Sequence, residues 1–229
     1  MQTSNNYNIF KDCYYINHNK LLNTLNGNES LLFRYLYLCS FMDEHNKLYF
    51  QGDPVIHKDF MGIFGLNRNL NTRVTKTLED LDLIYKIKKQ YYINPHYCTR
   101  DKFIIQNQSG YVFCITDYGI RKLYKQAVPR KHTLLGKYFS LLEYTNKYYN
   151  VICSKETTGE IDYNRINFLN GVQICDMCDR SNENSSLFFR DLKEFIINDQ
   201  PLICYSSSIH YNLNPFVVSK ISYNKEDTQ

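Results

Sequence analysis

The chain has 229 residues, 43% apolar and 22% charged, with a formal net charge of +4. This is the composition of a globular protein, and it contains no run of about 20 apolar residues to cross a membrane. The start, MQTSNNYNIFKDC, has neither the basic nor the apolar region of a secretory signal, so a cytoplasmic protein without a membrane partner is expected, its eight cysteines reduced. Residues 1–12 are expected to fray. Tyr14 to Leu25 reads as a strand feeding a short helix, and Asn28 can cap a helix from about Ser30 to Met42. A turn at Asp43–Lys47 leads to a short strand, Leu48-Tyr49-Phe50. Asp53 precedes Pro54, a residue favoured at the first helical position, so a helix is expected over roughly 55–64. It would bury Val55, Phe60, Ile63 and Phe64, and Gly65 can end it in a left-handed conformation. After the turn LNRN, a helix over about 69–82 places Leu70, Val74, Leu78 and Leu81 on one face. Strands 83–87 and 91–94 form a hairpin tipped by Lys88, Lys89 and Gln90 and closed by Asn94-Pro95.

Residues 98–110 read as a polar connector. Beyond it come a strand at Tyr111–Thr116, a basic helix near 118–126 broken by Pro129, and a helix at 133–145. A strand-and-loop insert fills 146–162, followed by a helix at 172–178 and a turn at Asp179–Asn182. A helix at 184–196 would bury Phe188, Phe189, Leu192, Phe195 and Ile196. A second hairpin, 201–206 with 209–213, is tipped by Ser206-Ser207-Ser208, and the polar residues 219–229 are expected to be disordered.

Two stretches of this path match. IYKIKKQYYINP at 84–95 and CYSSSIHYNLNP at 204–215 are both hairpins ending in Asn-Pro. Upstream of each lies an apolar stripe at i, i+3, i+4, i+7: Leu32, Tyr35, Leu36 and Cys39, then Leu135, Tyr138, Phe139 and Leu142. A repeat of this size is a fold-level signal. The expected class is α+β, with two tandem winged helix-turn-helix domains of about 100 residues, each long enough to bury its own core. The boundaries are 1–107 for a first, DNA-reading domain, 108–218 for a second that binds DNA or dimerises, and 219–229 for a tail.

In a helix-turn-helix, the N-terminal part of the second motif helix enters the major groove. Opposite Leu70, Val74 and Leu78 lie Asn69, Thr72, Arg73 and Lys76. Arg reads guanine and Asn reads adenine bidentately, while Thr and Lys serve phosphates or base edges. Lys86, Lys88 and Lys89 on the hairpin are placed for an adjacent phosphate track. The second unit offers Asn182, Asn184, Ser186 and Arg190, diluted by Glu183, Lys193 and Glu194, with an uncharged hairpin tip. Leu187 would suit a protein contact, so DNA binding and pairing between protomers both stay open there. The basic run Arg121, Lys122, Lys125, Arg130, Lys131 and Lys137 could bind phosphates across the junction of the units or form a solvated helix face.

Signals for catalysis are weak. Tyr 21 and Phe 14 beside a single alanine, Ala127, are what AT-rich coding produces, so aromatic abundance does not point to chemistry. Cys175-x-x-Cys178 is the one compact metal-like motif, but a structural zinc site needs about four ligands and no second pair is suitably spaced. At i and i+3 on a helix, both thiols are expected in the core. The six histidines are scattered, with no His-x-His pair of a metal-dependent nicking enzyme. Neither a phosphate loop nor a nucleophile elbow is present, and the acidic residues form no cluster for two-metal work. Binding without catalysis, and without a cofactor or metal, is expected.

Residues 14–95 resemble the RepL-type replication proteins of Gram-positive plasmids. The resemblance rests on the Tyr-rich lead-in with Asn19-Lys20-Leu21-Leu22, the leucine helix ending in Met42-Asp43, the helix-turn-helix through Gly65, LEDLDLI at 78–84, and the ending Tyr91-Tyr92-Ile93-Asn94-Pro95. It implies a winged-helix protein that binds a plasmid or phage origin and helps to start replication, with Asn69, Thr72, Arg73 and the hairpin lysines as DNA-binding positions. The tandem second unit departs from that family and is similar instead to plasmid initiators with two winged helices. The expected partners are double-stranded DNA carrying origin or operator repeats, with a homodimer and host replication proteins as candidate protein partners. The rival readings are a winged-helix transcriptional regulator, a partition or conjugative-transfer accessory protein, and a protein-interaction adaptor that binds no DNA.

Overall fold

The computed structural model describes residues 12–101, 112–178, 185–206 and 210–220. The first half begins with strand β1 (Cys13–Asn17), helix α1 (His18–Leu25) and helix α2 (Glu29–Cys39). The side chains of Asn17 and Asn28 cap α1 and α2 by accepting the N–H groups of Lys20 and Leu31. A two-stranded ribbon follows, β2 (Tyr49–Phe50) with β3 (Asp53–Pro54), then a 3-10 turn (His57–Asp59), α3 (Phe60–Phe64) and α4 (Arg68–Asp80). Gly65 ends α3 with φ of 60°, and Asn67 caps α4. The half closes with the hairpin β4 (Ile84–Ile87) and β5 (Gln90–Ile93), then β6 (Cys98–Thr99).

The second half retraces this path. It runs through β7 (Val112–Thr116), α5 (Asp117–Gln126), α6 (His132–Ser140), α7 (Gly171–Met177) and α8 (Ser185–Lys193). Between α6 and α7 lies a longer segment of isolated bridges and 3-10 turns. A small ribbon, β8 (Ile196–Ile197) with β9 (Gln200–Pro201), precedes the hairpin β10 (Ile203–Ser206) and β11 (His210–Leu213), and β12 (Val218–Lys220) ends the described chain.

The repeat extends to individual hydrogen bonds. The carbonyl of Asn94 accepts from the N–H groups of Tyr97 and Cys98, and that of Asn214 from those of Val217 and Val218. Each Asn side chain also accepts from the N–H two residues on, His96 in one half and Phe216 in the other, both at closely similar distances of 3.0 and 2.9 Å. This is an Asx turn with Pro preset at its second position, and it explains why Asn-Pro ends both hairpins. Asn46 and Asn150 form a second matched pair, both left-handed at φ of 62° and 56°, a conformation that Asn tolerates better than most residues. The Asn46 amide donates to Ile93 O and Cys98 O, and the Asn150 amide to Leu213 O and Val218 O. Each clamps its hairpin to the last strand of its own half.

The halves meet across an approximate two-fold. One sheet has the order β12-β7-β1-β6. β1 and β7 lie antiparallel at its centre, from Cys13 opposite Thr116 to Asn17 opposite Val112. Equivalent strands β6 and β12 occupy the two edges. Helices α2 and α6, also equivalent, pack against each other over the same line. Every residue of α2 from Leu31 to Cys39 is buried, as expected of a helix that is apolar nearly all round. Leu32, Leu36, Leu135 and Leu142 are 0–1% exposed, each contributing roughly 2 kcal/mol by burial. Although the sequence suggests one core per half, the main hydrophobic cluster runs through both, because α2 and the apolar side of α6 are buried against each other.

Several local expectations change. Asp53-Pro54 does not start a helix but pairs with Tyr49-Phe50 as an edge ribbon, where the missing N–H of proline is tolerated. Cys98-Thr99 belongs to the sheet rather than to a connector, and Ser219-Lys220 lies in β12 rather than in a disordered tail. The helix expected at 133–145 tightens into a 3-10 turn after Ser140. Ile196 is 41% exposed instead of buried, because Phe195 and Ile197 take the inner positions beside it. The turn at 179–182 and the hairpin tip at 207–208 lie outside the described residues.

One charged side chain is enclosed in the seam. Arg34 on α2 is 8% exposed, and its Nε donates to Nδ1 of His132 on α6 at 3.1 Å. The imidazole accepts at that nitrogen and is therefore neutral. Burial, reinforced by the Arg34 charge, lowers the His132 pKa from 6.5 to about 4.

A Cβ at Gly136 on α6 would overlap the backbone carbonyl of Glu29, which starts α2. Gly136→Ala is expected to destabilise the protein by about 3 kcal/mol, the upper end for overpacking, because backbone cannot move aside as a side chain can. Urea unfolding measures this, and a loss below about 1 kcal/mol would show that the helices are not so closely held. For His132, the unfolded chain binds a proton below about 6.5 that the folded chain refuses until about 4. Stability from this group is thus fully present above the upper value and is lost as the pH falls through the window, by up to about 3 kcal/mol at 1.4 kcal/mol per unit. Unfolding free energies at pH 7 and 4.5 should differ by less in His132→Gln than in the parent, and equal differences would refute the assignment.

Candidate nucleic-acid interface

Helix α4 has two distinct faces. Val74 and Leu78 are buried, joined by Asn71 and Thr75, with Leu70 and Leu81 partly covered. Asn69, Thr72, Arg73 and Lys76 all project outward and are exposed. The Thr72 hydroxyl donates to the Arg68 carbonyl at 3.0 Å, a local bond that leaves its methyl and oxygen at the surface. Among the described residues no carboxylate forms an ion pair with Arg73 or Lys76.

The β4–β5 hairpin stands beside this helix and is fastened to it. The Tyr91 hydroxyl donates to Glu79 near the end of α4 at 2.6 Å, and the His57 ring lies 3.3 Å from the same oxygen. Burial, and then the bond to Glu79, push the Tyr91 pKa well above its ordinary value. Glu79 reads from the sequence as an outward acid on the far end of the helix; the structure occupies it with this bond. Lys86 covers the Tyr91 ring at 4.8 Å. Lys88, left-handed at φ of 57°, and Lys89 form the exposed tip. The structure thus brings together Asn69, Thr72, Arg73 and Lys76 on one helix, and Lys86, Lys88 and Lys89 on the hairpin attached to it.

Positive charge extends inward from α4. Burial depresses the Arg34 pKa, Tyr124 partly offsets this, and the nearby charge of Arg73 adds to the depression. Among the described residues no carboxylate pairs with Arg34. A charged residue inside an otherwise apolar helical stripe was the available sequence signal for this group.

Several side chains of the basic run in the second half are engaged in bonds of the fold. Arg121 donates from Nε to the Ser40 hydroxyl at 3.0 Å and from Nη2 to the Ser40 carbonyl, with its guanidinium over the Phe41 ring. It caps the end of α2 from across the seam. Lys131 pairs with Asp191 at 2.7 Å and lies 3.7 Å from Glu194, and Lys137 donates to the Cys178 carbonyl. Lys122 bonds the Tyr118 hydroxyl at 3.1 Å, while Lys125 and Arg130 are exposed. Arg121, Lys122 and Lys125 line one open groove of about 690 Å³, in which Asp12 and Asp117 dilute their charge.

Arg100 holds the same junction together, and pattern reasoning passes over it as part of a connector. Its guanidinium donates to Met42 O, Cys13 O and Ser40 O and pairs with Asp117 at 2.6 Å. On α8, Ser186 and Arg190 are exposed, and Arg190 lies 3.7 Å from Asp191. Asn182 and Asn184 lie outside the described residues. Cys175 and Cys178 are both buried in the main core. Among the described residues no group of three or more His, Cys, Asp or Glu side chains is placed to hold a metal ion, and no helix is long and apolar enough to cross a membrane.

No protein-family model matches this chain, and comparison with curated proteins and with solved structures likewise finds no match.

Proposed function

We propose that this chain is a sequence-specific, non-enzymatic binder of double-stranded DNA, built from two winged helix-turn-helix units that share one core. In this reading α3 and α4 are the helix-turn-helix of the first unit, α4 enters the major groove, and β4–β5 is its wing. The observation that carries the reading is the outward face of α4: Asn69, Thr72, Arg73 and Lys76 are exposed together beside a lysine-tipped hairpin that Tyr91 fixes to the helix. Pre-positioned Arg and Asn side chains suit base edges, and the hairpin lysines suit phosphates. The resemblance of residues 14–95 to RepL-type proteins supports a role in starting replication of a plasmid or phage, by binding its origin and recruiting host replication proteins.

Purified protein should retard its origin DNA with a steep loss of affinity as salt rises. The double variant Arg73→Ala, Lys76→Ala should bind at least tenfold more weakly, at an unchanged melting temperature because both side chains are exposed. Unaltered affinity would remove α4 as the reader. Deleting the gene from a minimal replicon distinguishes roles: continued replication would leave a transcriptional, partition or transfer function in place of initiation.

A further inference from the structure

The seam between the halves carries a pair of thiols. In the antiparallel register of β1 and β7, Cys114 stands opposite Tyr15, and Cys13 stands opposite Thr116. Side chains two apart on a strand share a face, as do those directly opposed. Cys13 and Cys114 are therefore diagonal neighbours on one face of the sheet. Tyr14, Ile16, Phe113 and Ile115 fill the other face and are all 0% exposed. The Cys114 thiol donates to the Cys13 sulfur. This bond, against the opposing effect of burial, holds the Cys13 pKa below its ordinary value, and it pushes that of Cys114 up. Of two adjacent sulfurs, Cys13 is thus the one disposed to be a thiolate.

Access separates the two as well. Cys13 is 7% exposed and Cys114 is 1% exposed. Cys13 lines an open pocket of about 500 Å³, with Asp117 and Arg100 among the walls. Arg100 also donates to the Cys13 carbonyl at 2.9 Å. Cys39, the last residue of α2, and Cys98 on β6 share a hydrogen bond too. Both are 0% exposed, neither lines that pocket, and burial raises the Cys98 pKa well above its ordinary value. A small polar oxidant in water can reach the first pair but not the second.

We propose that Cys13 and Cys114 form a peroxide-responsive dithiol that, on oxidation, closes a reversible disulfide between the two halves of the fold. The Cys13 thiolate attacks one oxygen of hydrogen peroxide. The O–O bond breaks, hydroxide leaves and takes up the proton that Cys13 had lost, and Cys13 becomes a sulfenic acid. The Cys114 sulfur then attacks the Cys13 sulfur. The S–S bond forms, the S–O bond breaks, and the leaving hydroxide takes the Cys114 proton. Two thiols and one peroxide give one disulfide and two waters, with two electrons passing from sulfur to oxygen. Diagonal neighbours stand roughly 7 Å apart at Cα, near the upper limit for a disulfide. Closure therefore shears β1 slightly against β7, and a strained bond of this kind is readily reduced by thiols. It suits a transient signal in a reducing compartment rather than a permanent staple.

The test exposes the folded full chain to hydrogen peroxide, blocks the remaining thiols, and maps the cysteine peptides by mass spectrometry without reduction. The expected product is a link within one chain, Cys13 to Cys114, lighter by two hydrogens. It should raise the urea midpoint of unfolding, and dithiothreitol should reverse both changes. Cys114→Ser should leave Cys13 as a sulfenic acid that dimedone traps, whereas Cys13→Ser should leave Cys114 a thiol. Should either variant fail to fold, as circular dichroism would report, the map of the parent chain still decides. Cys13 remaining a thiol, or oxidised without a link to Cys114, would overturn the inference. So would a Cys39–Cys98 link in its place, a Cys13–Cys114 link that forms only in urea, or one that joins two chains.

Discussion

Between Gly136 and Glu29 two helices approach until backbone meets backbone. Around that point Phe33 stacks near Phe139, and Tyr37 lies flat on Tyr124 with ring centroids 3.6 Å apart. This seam sets the architecture. α2 is apolar on nearly every face, and α6 on all but the side of Thr133, Lys137 and Ser140, so the two halves bury their central helices against each other. The antiparallel pairing of β1 and β7 continues the same seam into the sheet. Polar groups then fix its geometry. Arg100 binds three carbonyls and Asp117, Arg121 caps α2 from the opposite half, and Arg34 finds a neutral His132 as acceptor. Arg34 is buried and Arg100 half-buried, and such donors need partners because an unmet buried donor costs on the order of 1–3 kcal/mol.

A rigid seam has a consequence for the surface. Elements far from it inherit their relative placement, and α4 and α8 are carried as equivalent parts of a two-fold body. The symmetry applies to the backbone and to a few polar side chains that hold it, not to every matched position. Asn94 and Asn214 keep the same turn, and Asn46 and Asn150 the same clamp, because those bonds hold each half together. Arg73, just before the buried Val74, and Leu187, just before the buried Phe188, hold like outward places with unlike chemistry.

Spacing and local chemistry made most of the elements legible from the residues alone. Asn28 before an apolar stripe, Gly65 after another, and the two Asn-Pro endings all act within a few residues, and each does in the structure what its chemistry suggests. Misreadings occur where a distant partner overrides a local preference. Pro54 suits a helix start, but pairing with Tyr49 claims it for a ribbon. Cys98-Thr99 and Ser219-Lys220 carry no strand pattern worth the name, and become strands because β1 and β7 offer them open edges. Glu79 is exposed, as its place on the helix suggests; what the sequence leaves unseen is the Tyr91 hydroxyl that the hairpin places against it.

The order of amino acids by itself determined the α+β make-up, the repeat, and the outward set Asn69, Thr72, Arg73 and Lys76, because helix periodicity and capping depend on neighbours a few positions apart. Only the tertiary structure decided that the halves share one core, that they are related by a two-fold, and that Arg121 and Lys131 are engaged in internal bonds. Those outcomes depend on contacts between residues some 60 to over 100 positions apart, such as Arg34 with His132 and Ser40 with Arg121. No local pattern encodes them: a buried arginine and a solvated one look alike in sequence until folding brings up the acceptor.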